Sequence, residues 1–279
     1  MAGTQQSGKV LLLGAGGKLG RMLCALWQSG AFALVPVYRS EGQGGLVWAP
    51  GDPVPAVEGV VAVIALWGVT PGSGINLDDN TRLALAAMDL GKALGAGAVV
   101  HCSSAAVYQP GAQPISETGS VCPGSDYGRA KLAMEKAIED GASGEGMRNI
   151  ILRIGNVAGA DSLFANLRSG GRITLDRFAD GTSPTRSYIA PPDLVRVIEA
   201  LVEDGTAAGT YNVAAPTPTA MGDIARVAGC SIDWRAAPET AMPMVWLDTS
   251  RLSTILALPP EAAAPDHLVE GARAGGTWP

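Results

Sequence analysis

Short apolar runs alternate with helical stretches along the first half of the chain. The runs predict buried strands at 9–13, 33–38, 59–66, 98–102 and 150–154, with a short one at 45–48. Between them, helix-forming residues and capping positions predict helices at 21–28, from about 79 to 94, and from 127 to about 140. Strands and helices that alternate at these lengths predict an α/β fold with a parallel, doubly wound sheet.

The first apolar run leads directly into a glycine-rich turn and then a helix. The turn consists of Gly14, Ala15, Gly16, Gly17, Lys18, Leu19 and Gly20. In this context glycines let the backbone approach a pyrophosphate, and the helix N-terminus favours its negative charge. A structural tight turn is the alternative, but the flanking strand and helix favour dinucleotide binding by Gly14 and Gly16–Gly20. The GxxGxxG spacing differs from the GxGxxG of ordinary dehydrogenases.

The end of the second predicted strand indicates which dinucleotide would bind. NAD-binding folds place an acid there for the ribose hydroxyls, but Tyr38, Arg39 and Ser40 occupy this position and the first carboxylate is Glu41. An arginine and a hydroxyl suit a 2′-phosphate. The sequence therefore favours NADP over NAD, with Arg39 and Ser40 as candidate cofactor residues. A solvated loop residue is the alternative interpretation of Arg39.

Two later pairs of residues form a candidate proton-transfer site. Ser103 and Ser104 follow the 98–102 strand, at the end that faces the ligand crevice in a parallel sheet. Tyr127 and Lys131 are four apart and therefore share one face of their predicted helix. A nearby ammonium lowers the pKa of a phenol from its usual value of about 10, so we expect this pair to exchange a proton. Turn residues and a solvated helix face are the alternatives on spacing alone.

Composition restricts the class of protein and its partners. The 279 residues suit one large domain or one and a half, and 47% apolar with 16% charged residues excludes a disordered or fibrous chain. A net charge of −6 argues against nucleic acid or an anionic membrane as the main partner. The four cysteines include no CxxC pair and there are two histidines, so we expect no metal site and reduced thiols in a cytoplasmic protein. We also expect no signal peptide and no membrane-spanning segment.

A series of motifs runs through the chain in order. They are the GxxGxxG turn, SSAAVY at 103–108, YGRAK at 127–131, LRIGNVAG at 152–159, DGTSPTRSYIAPPD at 180–193, YNV at 211–213 and LDTSR at 247–251. Together they resemble the extended short-chain dehydrogenase/reductases, the NAD(P)-dependent epimerase/dehydratase group, over nearly the whole chain. The resemblance implies a Rossmann-type sheet from 1–160, rejoined by about 187–213. The segments 161–186 and 214–279 would form a small substrate-binding lobe.

The resemblance also implies roles for the matching residues. Tyr127 would be the general acid/base, and Lys131 would bind the nicotinamide ribose and lower the pKa of the tyrosine. Ser104 would hydrogen-bond the reacting oxygen of the substrate, with Ser103 as a neighbouring cofactor residue. These assignments make Ser104, Tyr127 and Lys131 the expected catalytic set.

Two further positions bear on the substrate. Asn156 would lie beside the nicotinamide and contact cofactor and substrate, and Arg186 would face the substrate, with a salt bridge on a loop as its alternative. Position 186 follows position 156 by 30 residues, which is short for the family's nucleotide-sugar enzymes and predicts a smaller substrate pocket. Pro191 and Pro192 depart from the family motif. No acid for the adenine is evident after the third strand.

Three functional hypotheses follow. The first is an NADP(H)-dependent oxidoreductase, with NAD as the alternative cofactor, that transfers hydride at a carbonyl or carbinol of a small sugar-like or hydroxy-carbonyl substrate. The second is a sugar or nucleotide-sugar epimerase or dehydratase, which Ser125 and Asp126 beside Tyr127 support weakly. The third is a cofactor-sensing regulatory protein, which would usually have lost the tyrosine or lysine. The resemblance also implies a homodimer through the helices at about 79–94 and 127–140.

Overall fold

A seven-stranded parallel sheet forms the centre of the computed structural model, which describes residues 8–27, 31–41, 44–109, 111, 113–142 and 146–278. In chain order the strands of this sheet are β1 (Lys9–Leu13), β2 (Ala33–Tyr38), β3 (Leu46–Val47), β4 (Val60–Ala65), β5 (Ala98–Ser104), β6 (Arg148–Ile154) and, after four short strands elsewhere, β11 (Gly209–Val213). Their spatial order is β11-β6-β5-β4-β1-β2-β3. The predicted α/β fold with a Rossmann-type, doubly wound parallel sheet is confirmed.

Eight α-helices and seven further short strands complete the described structure. The helices are α1 (Lys18–Leu26), α2 (Asp79–Ala93), α3 (Asp126–Gly141), α4 (Ser162–Asn166), α5 (Pro191–Glu203), α6 (Met221–Val227), α7 (Ser250–Ser253) and α8 (Pro265–Ala274), with 3₁₀ helices at Ala105–Val107 and Pro260–Ala263. The remaining strands are β7 (Asn156–Val157), β8 (Arg172–Arg177), β9 (Thr185–Arg186), β10 (Tyr188–Ile189), β12 (Thr219–Ala220), β13 (Ser231–Ala236) and β14 (Met244–Val245).

Side chains alternate between the two covered faces of the sheet. Val10 and Leu12 of β1 belong to the apolar cluster that includes α1 and α5. Leu11 and Leu13 of the same strand belong to the cluster that includes α2. A strand buried on both faces therefore reads as a continuous apolar run, which is the pattern seen in the sequence.

The connection from β3 to β4, residues 48–59, is irregular, and two tryptophans help to cover the sheet there. Trp48 follows β3 and Trp67 follows β4, and both are buried. Their rings stack with centroids 5.6 Å apart, inside the cluster formed with α2. Trp67 is therefore a packing residue of the core.

Small sheets form outside the seven-stranded one. β8 pairs in parallel with β13 over six residues, β9 lies between β12 and β14, and β7 pairs with β10. An apolar cluster with side chains from α4, α6 and α8 supports these strands. β11 lies at the edge of the main sheet beside β6, so the chain returns to that sheet after residue 186. The division of the chain into two lobes at the sequence-derived boundaries stays a prediction.

Candidate active site

The carboxyl ends of the parallel strands form the edge where sequence-predicted residues meet. Gly14 follows β1, Gly68 closely follows β4, Ser104 ends β5 and Asn156 follows β6. Ligands of open α/β sheets bind in the crevice outside these ends. The predicted cofactor and catalytic positions are therefore brought to one side of the sheet.

The glycine turn has the close backbone packing expected of a pyrophosphate cradle. Gly14 has a φ of +87°, in the region that favours glycine. A Cβ atom at Gly20 would lie within 3.0 Å of the carbonyl oxygen of Gly14. Gly17 is the extended residue before α1, so the first N–H groups of the helix, at Lys18 and Leu19, lie where an anion can bind. These residues fit a dinucleotide pyrophosphate.

Arg39 and Ser40 lie directly after β2, and two strands, β1 and β4, separate β2 from β5, which ends with Ser104. Both side chains are exposed. Their position at the end of the second strand is where a Rossmann fold meets the adenosine ribose of a dinucleotide. The preference for NADP that these residues indicate stays a prediction.

Tyr127 lies in the first turn of α3 and faces the tip of β5. Ser125 caps α3 by accepting a 3.1 Å hydrogen bond from the N–H of Gly128. A Cβ atom at Gly128 would lie within 3.0 Å of the Ala106 carbonyl oxygen, so α3 touches the 3₁₀ helix that follows Ser104. The Ser104 hydroxyl is thereby placed as a hydrogen-bond partner of the Tyr127 phenol. The predicted pair Ser104 and Tyr127 is brought together.

The expected direction of the Tyr127 pKa is wrong for the protein alone. Burial raises the pKa of the phenol above its ordinary value, and the nearby Cys102 acts in the same direction. The hydrogen bond from Ser104 opposes this rise. Lys131 Nζ lies 5.8 Å from the centre of the tyrosine ring. The phenol is therefore held protonated, as a proton donor.

Lys131 is almost fully buried, one turn after Tyr127. Its Nζ donates a 2.8 Å hydrogen bond to the carbonyl oxygen of Cys102 in β5. Burial lowers the pKa of the Lys131 ammonium. A Cβ atom at Gly68 would lie 2.8 Å from both Lys131 Nζ and Asn80 Oδ1, so a side chain at this position would displace one or both of these groups.

The side chain of Ser103 does not face the crevice, and its expected role as a cofactor residue stays a prediction. It is 2% exposed and its hydroxyl donates to Glu135 Oε1 of α3. Successive side chains of a strand point to opposite faces, so Ser104 and Ser103 cannot both face the ligand. The structure leaves Ser104 as the crevice hydroxyl.

Asn156 is engaged with an acid that the sequence did not single out. Its Nδ2 donates a 3.0 Å hydrogen bond to Asp161 Oδ2. The same carboxylate accepts a 2.7 Å bond from the Tyr188 hydroxyl, and its other oxygen accepts from the N–H of Phe164 at the start of α4. Burial raises the pKa of Asp161, while these hydrogen bonds lower it. Asn156 is thus oriented by a buried acceptor.

Arg186 binds backbone carbonyls of its own lobe. Its guanidinium donates to the carbonyl oxygens of Thr185 at 2.8 Å, Met242 at 2.9 Å and Pro243 at 3.4 Å. Burial lowers the pKa of Arg186. The side chain therefore ties β9 to the segment before β14. The salt bridge considered as its alternative is not among the ion pairs of the described residues. Its contact with substrate stays a prediction.

Sequence reasoning missed three buried polar residues of this region: Asn80, Glu135 and Arg153. Asn80 of α2 bonds both the N–H and the carbonyl of Val69 at 3.1 Å and so holds the loop after β4. Glu135 of α3 pairs with Arg153 of β6, with Arg153 Nη2 2.7 Å from Glu135 Oε2. The signal for Glu135 was its position four residues after Lys131, on the same helical face.

Comparison with known proteins identifies the family of this fold and site. Residues 57–214, more than half of the chain, match the family model described as the NAD dependent epimerase/dehydratase family. The chain belongs to this family. This confirms the resemblance stated from the motifs and supports an NAD(P)-dependent enzyme.

One individual relative matches only part of the chain. The UDP-glucose 4-epimerase of Azospirillum brasilense is 34% identical over 182 residues, which are 57% of this chain and 51% of that protein. The matched region therefore spans about half the length of this relative.

Two solved structures share the fold over most of the chain. A short-chain dehydrogenase/reductase superfamily protein from Agrobacterium tumefaciens with bound NAD has a TM-score of 0.75 and 22% identity, covering 95% of this chain and 96% of that one. RMD from Pseudomonas aeruginosa, complexed with NADPH, has a TM-score of 0.74 and 19% identity, covering 97% and 99%. At these identities the likeness shows the fold.

Among the described helices, none has the length and hydropathy needed to cross a bilayer. Within the same described residues, no three His, Cys, Asp or Glu side chains form a group able to hold a metal ion.

Proposed function

We propose that the protein is an NAD(P)-dependent oxidoreductase of the extended short-chain dehydrogenase/reductase type. Its reaction is hydride transfer at a carbonyl or carbinol carbon of a small sugar-like or hydroxy-carbonyl compound. The observation that carries this proposal is the position of Tyr127 against Ser104, with Lys131 one turn away, at the same sheet edge as the glycine turn. Family membership supports the use of a nicotinamide cofactor.

The chain's own residues supply the proton and the orientation of the substrate. A bound nicotinamide would supply the hydride donor or acceptor. Tyr127, held protonated by burial, donates its proton to the substrate oxygen in the reducing direction. Ser104 hydrogen-bonds the same oxygen and fixes its distance from the phenol. Lys131, anchored to the carbonyl of Cys102, keeps a positive charge beside the tyrosine and favours the phenolate that remains.

NADP is the proposed cofactor in preference to NAD. The support is local: exposed Arg39 and Ser40 follow β2, and Glu41 is the first carboxylate after that strand. A guanidinium and a hydroxyl suit a 2′-phosphate. The fold accommodates either dinucleotide, since one structural neighbour carries NAD and another NADPH.

A small substrate is proposed because the lobe beside the crevice is short and its polar groups are engaged. α4 has five residues, and the amide of Asn156 is bonded to Asp161. The guanidinium of Arg186 is bonded to three backbone carbonyls. These groups would have to give up internal hydrogen bonds to bind a large anionic substrate.

We propose the cytoplasm as the cellular setting of the protein. We also propose a second copy of the chain as its partner. α2 and α3 pack against each other on one face of the sheet, and Leu85 of α2 is an exposed apolar residue. We propose that these two helices form a homodimer interface. Size-exclusion chromatography with light scattering should give twice the chain mass, and a monomer at micromolar concentration would contradict it.

An epimerase is the second candidate, because the Azospirillum relative is a UDP-glucose 4-epimerase. A tightly held cofactor would then store hydride transiently, without net oxidation. The same Tyr127 and Ser104 would serve the substrate hydroxyl in this reaction.

Net consumption of cofactor separates the two candidates. The purified protein would be incubated with NADPH or NADH and glyceraldehyde, dihydroxyacetone or xylose, and separately with UDP-glucose without added reductant. We expect loss of NADPH absorbance with at least one of the small carbonyl compounds. Formation of UDP-galactose with no net change in cofactor would instead establish the epimerase.

A further inference from the structure

A buried ion pair between Glu135 and Arg153 joins helix α3, which carries Tyr127 and Lys131, to strand β6. Glu135 lies on α3, one turn after Lys131 and two turns after Tyr127. Arg153 lies on β6, and the two side chains are 2% and 8% exposed. Arg153 makes three hydrogen bonds to the carboxylate, with Nε 3.1 Å from each oxygen and Nη2 2.7 Å from Oε2. This arrangement fixes the register of α3 against the sheet.

The same pair forms hydrogen bonds with one residue before Ser104 in the chain and one residue after it. Directly before it, Ser103 donates its hydroxyl to Glu135 Oε1. Four residues after it, the Tyr108 hydroxyl accepts a 2.8 Å hydrogen bond from Arg153 Nη1. The 3₁₀ helix Ala105–Val107 connects these two anchors, so the tip of β5 is restrained at both ends.

The network continues from Tyr108 into β11 and the loops that carry Ile115, Glu117 and Asp248. The Tyr108 hydroxyl donates to Asn212 Oδ1 of β11 at 2.8 Å. Asn212 Nδ2 donates to the carbonyl oxygens of Ile115 and Asp248, at 2.8 and 2.9 Å, and its backbone N–H donates to Glu117 Oε1 at 2.8 Å. Each buried group has a partner, which is the condition under which a polar network specifies one arrangement.

We propose that Glu135 and Arg153 are positioning residues, which set the contact between Ser104 and Tyr127 through Ser103, Tyr108 and α3. This inference rests on the proposed function, because it assigns these residues a part in its chemistry. A buried ion pair is weak evidence for stability, since apolar replacement of both partners often leaves stability unchanged. A displacement of about 1 Å in a catalytic group, by contrast, can slow turnover on the order of a hundredfold.

A triple variant, Ser103→Ala with Glu135→Leu and Arg153→Met, separates positioning from stability. It removes the charges and the serine hydroxyl together, so that none of the three is left buried without a partner. We expect the melting temperature to stay close to that of wild type and the Kd for NADPH to stay within about threefold. The kcat with the best small carbonyl should fall at least about tenfold at a similar KM. Lys136→Gln, at the exposed neighbour of Glu135, is the control and should leave kcat unchanged.

A second readout requires no turnover. With 3-fluorotyrosine incorporated and the Tyr127 signal assigned by Tyr127→Phe, Ser104→Ala should shift the fluorine resonance of Tyr127 in the wild-type background. It should produce no shift in the triple-variant background. Equal shifts in both backgrounds, or a triple variant with wild-type kcat, would overturn the positioning role.

The two proposals fail in different ways. Absence of turnover by the wild-type protein would reject the oxidoreductase, while the fluorine signal would still report whether Glu135 and Arg153 position Tyr127. If the triple variant does not fold, Ser103→Ala alone decides, because it keeps the ion pair and removes only the link to β5. A Tyr127 resonance unchanged by Ser103→Ala would then count against the proposal.

Discussion

Gly128 packs so closely on Ala106 that a Cβ atom at position 128 would lie within 3.0 Å of the Ala106 carbonyl oxygen. Helix α3 and the 3₁₀ helix after Ser104 therefore meet backbone to backbone. Because Tyr127 directly precedes the glycine, this approach sets how far the phenol reaches towards the serine. The geometry of the candidate pair Ser104 and Tyr127 thus depends on a glycine, which has no side chain.

Gly128→Ala should impair turnover more than cofactor binding. The added methyl group pushes α3 away from the 3₁₀ helix and moves Tyr127 from Ser104, so we expect kcat to fall by about tenfold to a hundredfold. Gly124→Ala is the matched control, because a Cβ atom there meets nothing within 4 Å. Steady-state kinetics with NADPH compare the two, and equal kcat values would refute the close-packing argument.

Gly20→Ala should weaken cofactor binding. Its Cβ atom would lie within 3.0 Å of the Gly14 carbonyl oxygen, which displaces α1 from the turn that faces the pyrophosphate. We expect the Kd for NADPH, measured by fluorescence titration, to rise at least about tenfold. Gly205→Ala, at an exposed turn with open space around it, should bind as wild type does. An unchanged Kd for Gly20→Ala would remove this turn from the cofactor site.

Arg39→Ala tests the cofactor preference. Loss of the guanidinium removes the partner of a 2′-phosphate but leaves the NAD ribose hydroxyls unaffected. We expect the Kd for NADP to rise at least about tenfold and the Kd for NAD to change by less than about twofold. Arg226→Ala, at an exposed arginine of α6, serves as control. Equal effects on both dinucleotides would contradict the assignment of Arg39.

His101 should make the free energy of unfolding fall as the pH is lowered. It is 1% exposed, and burial lowers its pKa from 6.5 to about 4, so the folded protein keeps it neutral where the unfolded chain takes up a proton. Its contribution is present above pH 6.5 and is lost as pH falls towards 4, at up to about 1.4 kcal/mol per pH unit. Urea unfolding of His101→Phe should show a shallower loss over this range. An identical pH slope in the variant would be the contrary result.

The fold was predictable because the central strands β1, β4 and β5 are buried on both faces and the helices have recognisable start and stop residues. Pro36 in β2 was the awkward position, since proline lacks an N–H for a sheet bond. Ala33 donates its N–H to Gly8 on the β1 side, so the nitrogen of Pro36 points to the β3 side, where β3 reaches only Val37 and Tyr38. No sheet hydrogen bond is lost there.

The placement of the candidate catalytic residues was predictable from spacing, but their environment was not. Tyr127 and Lys131 share a helical face, and Ser104 ends a strand, as the pattern indicates. The depth of burial that raises the pKa of Tyr127 depends on how α3 packs against β5, which a pattern of residues does not give. The burial of the Ser103 side chain against Glu135 was not predictable either, because a pair of adjacent hydroxyls does not show which one faces the crevice.

The partners of buried polar groups lie far apart in the chain. Arg153 interrupts an apolar strand, and its partner Glu135 is 18 residues earlier on a helix. Asp161 was overlooked because its partners, Asn156 and Tyr188, become neighbours only when β7 pairs with β10. Such contacts follow from the topology, so the sequence could indicate the residues without pairing them.

The proton-donor role of Tyr127 is the central claim, and Tyr127→Phe tests it most directly. Rapid-mixing measurement of NADPH oxidation with the best small carbonyl, together with NADPH titration, separates chemistry from binding. We predict a rate at least about a hundredfold below wild type with the Kd for NADPH within about threefold, because the phenol acts in proton transfer and not in binding the dinucleotide. Hydride transfer at the wild-type rate in Tyr127→Phe would contradict the account.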